Sequence, residues 1–209
     1  MQQKAMVELI GTFFLVLVIG LTAIAPGAGS LGPLAIGLVL MVMVYAGGHI
    51  SGAHYNPAVT LAVWMRGKCP TKDVPAYLIG QIGGAALAAQ FVGWVLRGMP
   101  IMPIEINWER ALPLEFIFTF ALAFVVLNVA TAKRTAGNSY FGLAIGMTVA
   151  ASAYAAGGIS GGMFNPAVAV GMTILGISQG DNLWVYLIAT LAGGALAALA
   201  FKSVNTDRS

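Results

Sequence analysis

Charge is what this sequence has least of: Asp, Glu, Lys and Arg together make up 8% of its 209 residues, against roughly a quarter in a soluble globular domain. That scarcity excludes a water-soluble enzyme of ordinary composition. Cys69 is the single cysteine, so an intrachain disulfide and a multi-cysteine metal site are both excluded. The two histidines, His49 and His54, lack a third ligand and make a poor metal centre. Ser51 has no His/acid partner set, so hydrolase chemistry is not expected. No catalysis, cofactor or metal is anticipated.

What the chain does have is apolar length, with 59% hydrophobic residues. A bilayer core needs about 20 predominantly apolar residues per helical crossing, and such stretches lie near 5–24, 32–51, 74–97, 111–131, 139–157 and 182–201. Six crossings account for most of the chain, leaving short loops and one membrane domain over 1–209. The first stretch could pass for a secretory signal, since Lys4 precedes it and Ala23-Ile24-Ala25 resembles a cleavage site. Glu8 interrupts that apolar region, and the segment recurs later in the chain, so it belongs to the fold. With a cytoplasmic N-terminus, Lys4, Arg66, Lys68, Lys72, Lys133, Arg134, Lys202 and Arg208 fall inside and only Arg97 and Arg110 outside, satisfying the positive-inside rule. The net charge of +3 therefore reports topology and shows no nucleic-acid patch. Short termini without organelle signals point to a prokaryotic cytoplasmic membrane, with both termini inside.

The chain repeats itself. Gly48-His49-Ile50-Ser51-Gly52-Ala53-His54-Tyr55-Asn56-Pro57-Ala58-Val59 recurs as Gly157-Gly158-Ile159-Ser160-Gly161-Gly162-Met163-Phe164-Asn165-Pro166-Ala167-Val168, an offset of 109. Leu34-Ala35-Ile36-Gly37 matches Leu143-Ala144-Ile145-Gly146, Gly83-Gly84-Ala85 matches Gly193-Gly194-Ala195, and Glu8 matches Glu115. The repeats divide the chain at about 1–103 and 104–209. Three crossings per repeat force the second copy to enter from the opposite side, so the repeats are inverted and meet near the bilayer midplane. Each also carries an apolar segment too short to span, Asn56 to Met65 and Asn165 to Leu175. These read as half-membrane helices, preceded by irregular Gly/Ser-rich backbone of the kind tolerated only inside protein or along a watery cavity.

Asn is a preferred N-cap and Pro is favoured at the first helical position, so Asn56-Pro57-Ala58 and Asn165-Pro166-Ala167 read as helix starts. Two half-helices from opposite leaflets present N-termini to each other. Each carries roughly half a positive charge, which opposes cations, while the Asn amides can donate to a passing oxygen. Such a constriction suits small neutral molecules.

These residues resemble the aquaporin, or major intrinsic protein, family over essentially the full length. The match lies in Glu8 with Gly11-Thr12, Gly48-His49-Ile50-Ser51-Gly52, Asn56-Pro57-Ala58-Val59-Thr60, Glu115, and Ile159-Ser160-Gly161 leading to Asn165-Pro166-Ala167. The resemblance implies six transmembrane helices plus two re-entrant half-helices, a homotetramer with one pore per subunit, and an aromatic/arginine filter beyond the central Asn pair. It also implies that Glu8 and Glu115 accept hydrogen bonds from the irregular backbone before each half-helix.

The chain departs from the family at that filter. The second motif usually continues with Arg, and here the position is Val168. Spacing carries the other filter positions to Ile36, Ala153 and Gly162, where water-selective members have an aromatic and a His at the first two. Losing a guanidinium with five donors and gaining small neighbours implies a wide apolar filter, like those of the family's metalloid- or glycerol-conducting branches. Expected permeants are water, glycerol, urea and uncharged hydroxides such as arsenous, boric or silicic acid. The alternative is a water- or glycerol-selective pore narrowed by another group, such as Arg110 or Trp108 from the loop at 98–110. Two rivals remain: a proton-coupled transporter using Glu8 or Glu115, and a structural protein with a closed pore. His49 is expected to pack; His54, near the cytoplasmic vestibule, is a candidate pH gate. Gly80, Gly84 and Ala88, like Ala189, Gly193 and Ala197, form seams that permit close helix approach.

Overall fold

A computed structural model of the chain describes residues 1–25 and 27–205. Arg208, counted above among the inner charges, lies outside the described residues. These residues form eight α-helices: α1 (Gln2–Ile24), α2 (Gly32–Ser51), α3 (Pro57–Met65), α4 (Val74–Val95), α5 (Trp108–Thr131), α6 (Phe141–Ser160), α7 (Pro166–Leu175) and α8 (Leu183–Val204). Six are long and apolar enough to cross a bilayer, α2, α4 and α8 each counted with the short turn before it. The other two, α3 and α7, have nine and ten residues, about 15 Å of rise, or half of a roughly 30 Å hydrocarbon core. The protein is an all-helical, multi-pass membrane protein.

Helix ends follow from local chemistry. Helices α2 and α6 stop where Gly52 (φ 87°) and Gly161 (φ 90°) turn left-handed, a conformation that costs glycine little. Four residues later Asn56 and Asn165 take extended backbone, and the side chain of each accepts from the amide two residues on. Pro57 and Pro166 then occupy the first helical position, where no N–H is required.

Packing brings equivalent elements together crosswise. Helix α4 lies on α1, where a Cβ at Gly80 would fall 2.5 Å from Ala5 O and one at Gly84 would run into Leu9 O. Helix α8 lies on α5 in the same way, with Gly193 against Phe116 O. The seams expected from Gly80, Gly84 and Gly193 thus serve packing within the subunit. They also correct the glycine register: Gly84 and Gly193 face equivalent carbonyls, so Gly84 pairs with Gly193 and not, as the glycine triplets suggested, with Gly194. Gly194 instead meets Ala58 O of α3. At the centre α2 crosses α6, where a Cβ at Gly37 would fall 2.6 Å from Gly146 O. His49, expected to pack, is exposed within the single subunit near the end of α2.

Candidate functional site

The irregular segments before α3 and α7 have no helical ladder to satisfy their amides, and they run through the interior. Two buried carboxylates do that work. Glu8 of α1, fully buried, accepts from Ser51 Oγ (2.7 Å), His54 N (2.9 Å), Tyr55 N (2.6 Å) and Gln81 Nε2 (2.8 Å). Glu115 of α5, also fully buried, accepts from Ser160 Oγ (2.7 Å), Met163 N (2.9 Å) and Phe164 N (2.6 Å). These bonds hold Tyr55 (φ 50°) and Phe164 (φ 48°) in left-handed backbone, which disfavours residues with a Cβ. Tyr77 and Tyr186 brace the same turns by donating to Ser51 O and Ser160 O.

The two helix tips are tied across the centre. Asn56 Oδ1 accepts from Ala58 N, and its Nδ2 donates to Phe164 O at 2.9 Å. Reciprocally, Asn165 Oδ1 accepts from Ala167 N and its Nδ2 donates to Tyr55 O at 2.8 Å. Each amide therefore has one N–H remaining, where the sequence suggested a wholly free group. Pro57, Ala58, Pro166 and Ala167 are buried behind these tips.

A cavity of about 300 Å³ runs past both Asn residues. Ile36, Ala153, Gly162 and Val168 all line it on the α7 side, so the positions inferred by spacing do converge. None carries a charge or a hydrogen-bonding side chain. His54 lines the α3 side. The loop between α4 and α5 also reaches this cavity, but through Ile104, whose N donates to Ile177 O at 2.7 Å. Arg110 is not among the lining residues, and Trp108 is half exposed and packs on Trp184 with ring centroids 5.9 Å apart. Ile104 and Ile177 were not anticipated: a connecting loop has no periodicity to betray which residue turns inward. Leu15 and Ile19 of α1, with Leu122 and Val126 of α5, also line the wall, and only the repeat offset could have singled them out. Among the described residues no group of three His, Cys, Asp or Glu is placed to hold a metal ion.

Six apolar spans around a continuous cavity, with two capped half-helices meeting in its middle, define a membrane channel. The family model described as major intrinsic protein matches residues 1–201, and the chain belongs to that family of aquaporin channels, which are not enzymes. Aquaporin NIP1-3 of Oryza sativa subsp. japonica is 39% identical over 99% of this chain and 75% of its own length. Nodulin-26 of Glycine max is 33% identical over 99% of this chain and 79% of its own. Among solved structures, the aquaglyceroporin from Plasmodium falciparum superposes with a TM-score of 0.83 over 97% of this chain and 96% of that one, at 23% identity, a likeness of fold.

Proposed function

We propose that this channel passes neutral solutes larger than water, namely glycerol, urea and uncharged hydroxides such as arsenous, boric or silicic acid, together with water itself. The observation that carries the reading is that Ile36, Ala153, Gly162 and Val168 together line the cavity, small or apolar side chains that offer a solute no fixed cation. Ion rejection then rests on the facing N-termini of α3 and α7. Glu8 and Glu115 are held by donors from the turns they support, which supports a structural role and opposes a proton-coupled cycle. The working form is a homotetramer with one pore per subunit, built from repeats at about 1–103 and 104–209, in the cytoplasmic membrane with both termini inside.

The test is stopped-flow light scattering on proteoliposomes with water, glycerol, urea and arsenous acid, for the wild type and Val168→Arg. The wild type passes all four, and Val168→Arg lowers the three larger solutes by about tenfold or more, a scale on which pockets discriminate by size, while sparing water. A wild type that passes only water overturns the solute assignment. That result would favour a second reading, in which Ile104 and Ile177 at the mouth set the width.

A further inference from the structure

Around the central Asn pair the repeats line the cavity largely with equivalent residues, and side-chain polarity differs where His54 stands opposite Met163 and Tyr55 opposite Phe164; farther off, Thr22 stands opposite Val129, but its hydroxyl donates to Val18 O and Ile19 O of its own helix. The Tyr55 hydroxyl donates to Met43 O at 2.9 Å, on its own side of the fold. His54 is thus the one break in symmetry that brings a polar atom to the wall beside the Asn pair.

The protons around it can be counted. Thr60 Oγ1 lies 3.1 Å from Asn56 O, four residues back, the usual acceptor for a helical threonine hydroxyl. Gln81 Nε2 donates one proton to Glu8 Oε2 at 2.8 Å and the other to Thr60 Oγ1 at 2.9 Å. With its own proton directed to Asn56 O, the Thr60 oxygen can only accept from His54 Nδ1, 3.1 Å away. In that arrangement Nδ1 carries the ring proton and Nε2 is a bare lone pair; a Thr60 hydroxyl turned to Nδ1, leaving Asn56 O to Thr60 N at 2.9 Å, gives the opposite tautomer. The ring packs on Tyr77, centroids 4.8 Å apart, and Nε2 has no hydrogen-bond partner among the described residues. In the second repeat the partners are gone, since Thr60 and Gln81 correspond to Ala169 and Thr190, and the Thr190 hydroxyl bonds Tyr186 O on its own helix.

We infer that His54 is a specificity-determining residue: a neutral imidazole locked with its proton on Nδ1, whose Nε2 accepts hydrogen bonds from solute O–H or N–H groups on the α3 side of the Asn pair. Thr60 and Gln81 are positioning residues that fix the tautomer, and Glu8 anchors Gln81. The Asn amides donate and His54 accepts, so a polyol, an amide or an uncharged hydroxide finds both kinds of partner in succession. This assignment replaces a pH gate by a fixed acceptor. Its solute half rests on the permeation reading above; its tautomer half does not.

The test is solid-state NMR of the protein in lipid bilayers with ¹⁵N-labelled histidine, in a His49→Gln background that leaves His54 as the sole imidazole. The expected spectrum at neutral pH has a protonated Nδ1 and an unprotonated Nε2. A ring protonated on Nε2, or on both nitrogens, overturns the assignment without any need of a variant in the cluster. Thr60→Val should release the ring to the Nε2-protonated form, and an unchanged spectrum would overturn the positioning role. In proteoliposomes, His54→Leu should lower glycerol and urea permeability about fivefold, the scale of one net hydrogen bond; unchanged fluxes overturn the specificity role. A wild type impermeable to both solutes, with the Nδ1 tautomer intact, would sink the permeation reading alone.

Discussion

In the first half of the chain Glu8 gathers four donors, and in the second Glu115 gathers three. The serine and the two backbone amides are common to both, and the extra donor is Gln81. Around that donor the first half adds Thr60 and His54, where the second has Ala169 and Met163. The re-entrant turn itself thus needs only a carboxylate, a serine and left-handed backbone. Polar groups beyond that minimum mark chemistry particular to one side of the pore.

The sharpest way to break this comparison is to remove each carboxylate. Replacing Glu8 or Glu115 by Leu strands two buried backbone amides, at about 1–3 kcal/mol each, and Glu8→Leu leaves one Gln81 N–H unpaired as well, the other staying on Thr60 Oγ1. Both variants should lose about 4 kcal/mol, with Glu8→Leu the worse by about 1 kcal/mol. Thermal loss of helical circular dichroism in one detergent checks the order. Equal midpoints would mean that Gln81 contributes nothing to the turn and that the difference between the halves is confined to the pore wall.

A smaller effect tests what the halves share. Asn56→Ala and Asn165→Ala each remove an N-cap, worth about 1 kcal/mol, and one bond across the centre, worth about 1 kcal/mol. Because the two tips are tied reciprocally at 2.9 and 2.8 Å, the losses should agree to within about 0.5 kcal/mol. A marked inequality in the same melting measurement would show that one half-helix depends on the other more than the pairing suggests.

Much of this was legible beforehand, for reasons the residues make plain. The six spans announce themselves because lipid demands apolar runs, and Asn-Pro marks a helix start wherever it stands; the chain has α3 at Pro57–Met65 and α7 at Pro166–Leu175. Fixed spacing from each Asn brought Ile36, Ala153, Gly162 and Val168 to one cavity, since a rigid scaffold preserves offsets. Three things were hidden. Glycine runs read alike in adjacent registers, and only the facing carbonyls, Leu9 O and Phe116 O, pair Gly84 with Gly193. Ile104 sits in a loop whose path is set by a single bridge to the residues after α7. The proton on His54 depends on Thr60 and Gln81, the latter 27 residues away in sequence, and no local pattern encodes that meeting.

The smallest predicted effect lies at the start of α1, where Lys4 Nζ sits 2.8 Å from Asp73 Oδ2 and ties the first turn of α1 to the turn that opens α4. The second half has Ala111 and Asn182 at the equivalent places, so no such ion pair is possible there. Exposed pairs contribute little and are screened by salt, and the Lys4 side chain is about one-third exposed. Lys4→Gln should therefore lower the melting midpoint slightly in low salt and not at all in high salt, and the swapped pair Lys4→Asp with Asp73→Lys should recover the difference. A large, salt-insensitive loss would carry the asymmetry out of the pore and into the packing of α1 on α4. In that case the first half would owe its firmness to more than the Glu8 cluster, and the larger cost expected for Glu8→Leu would need to be measured again in the Lys4→Gln background.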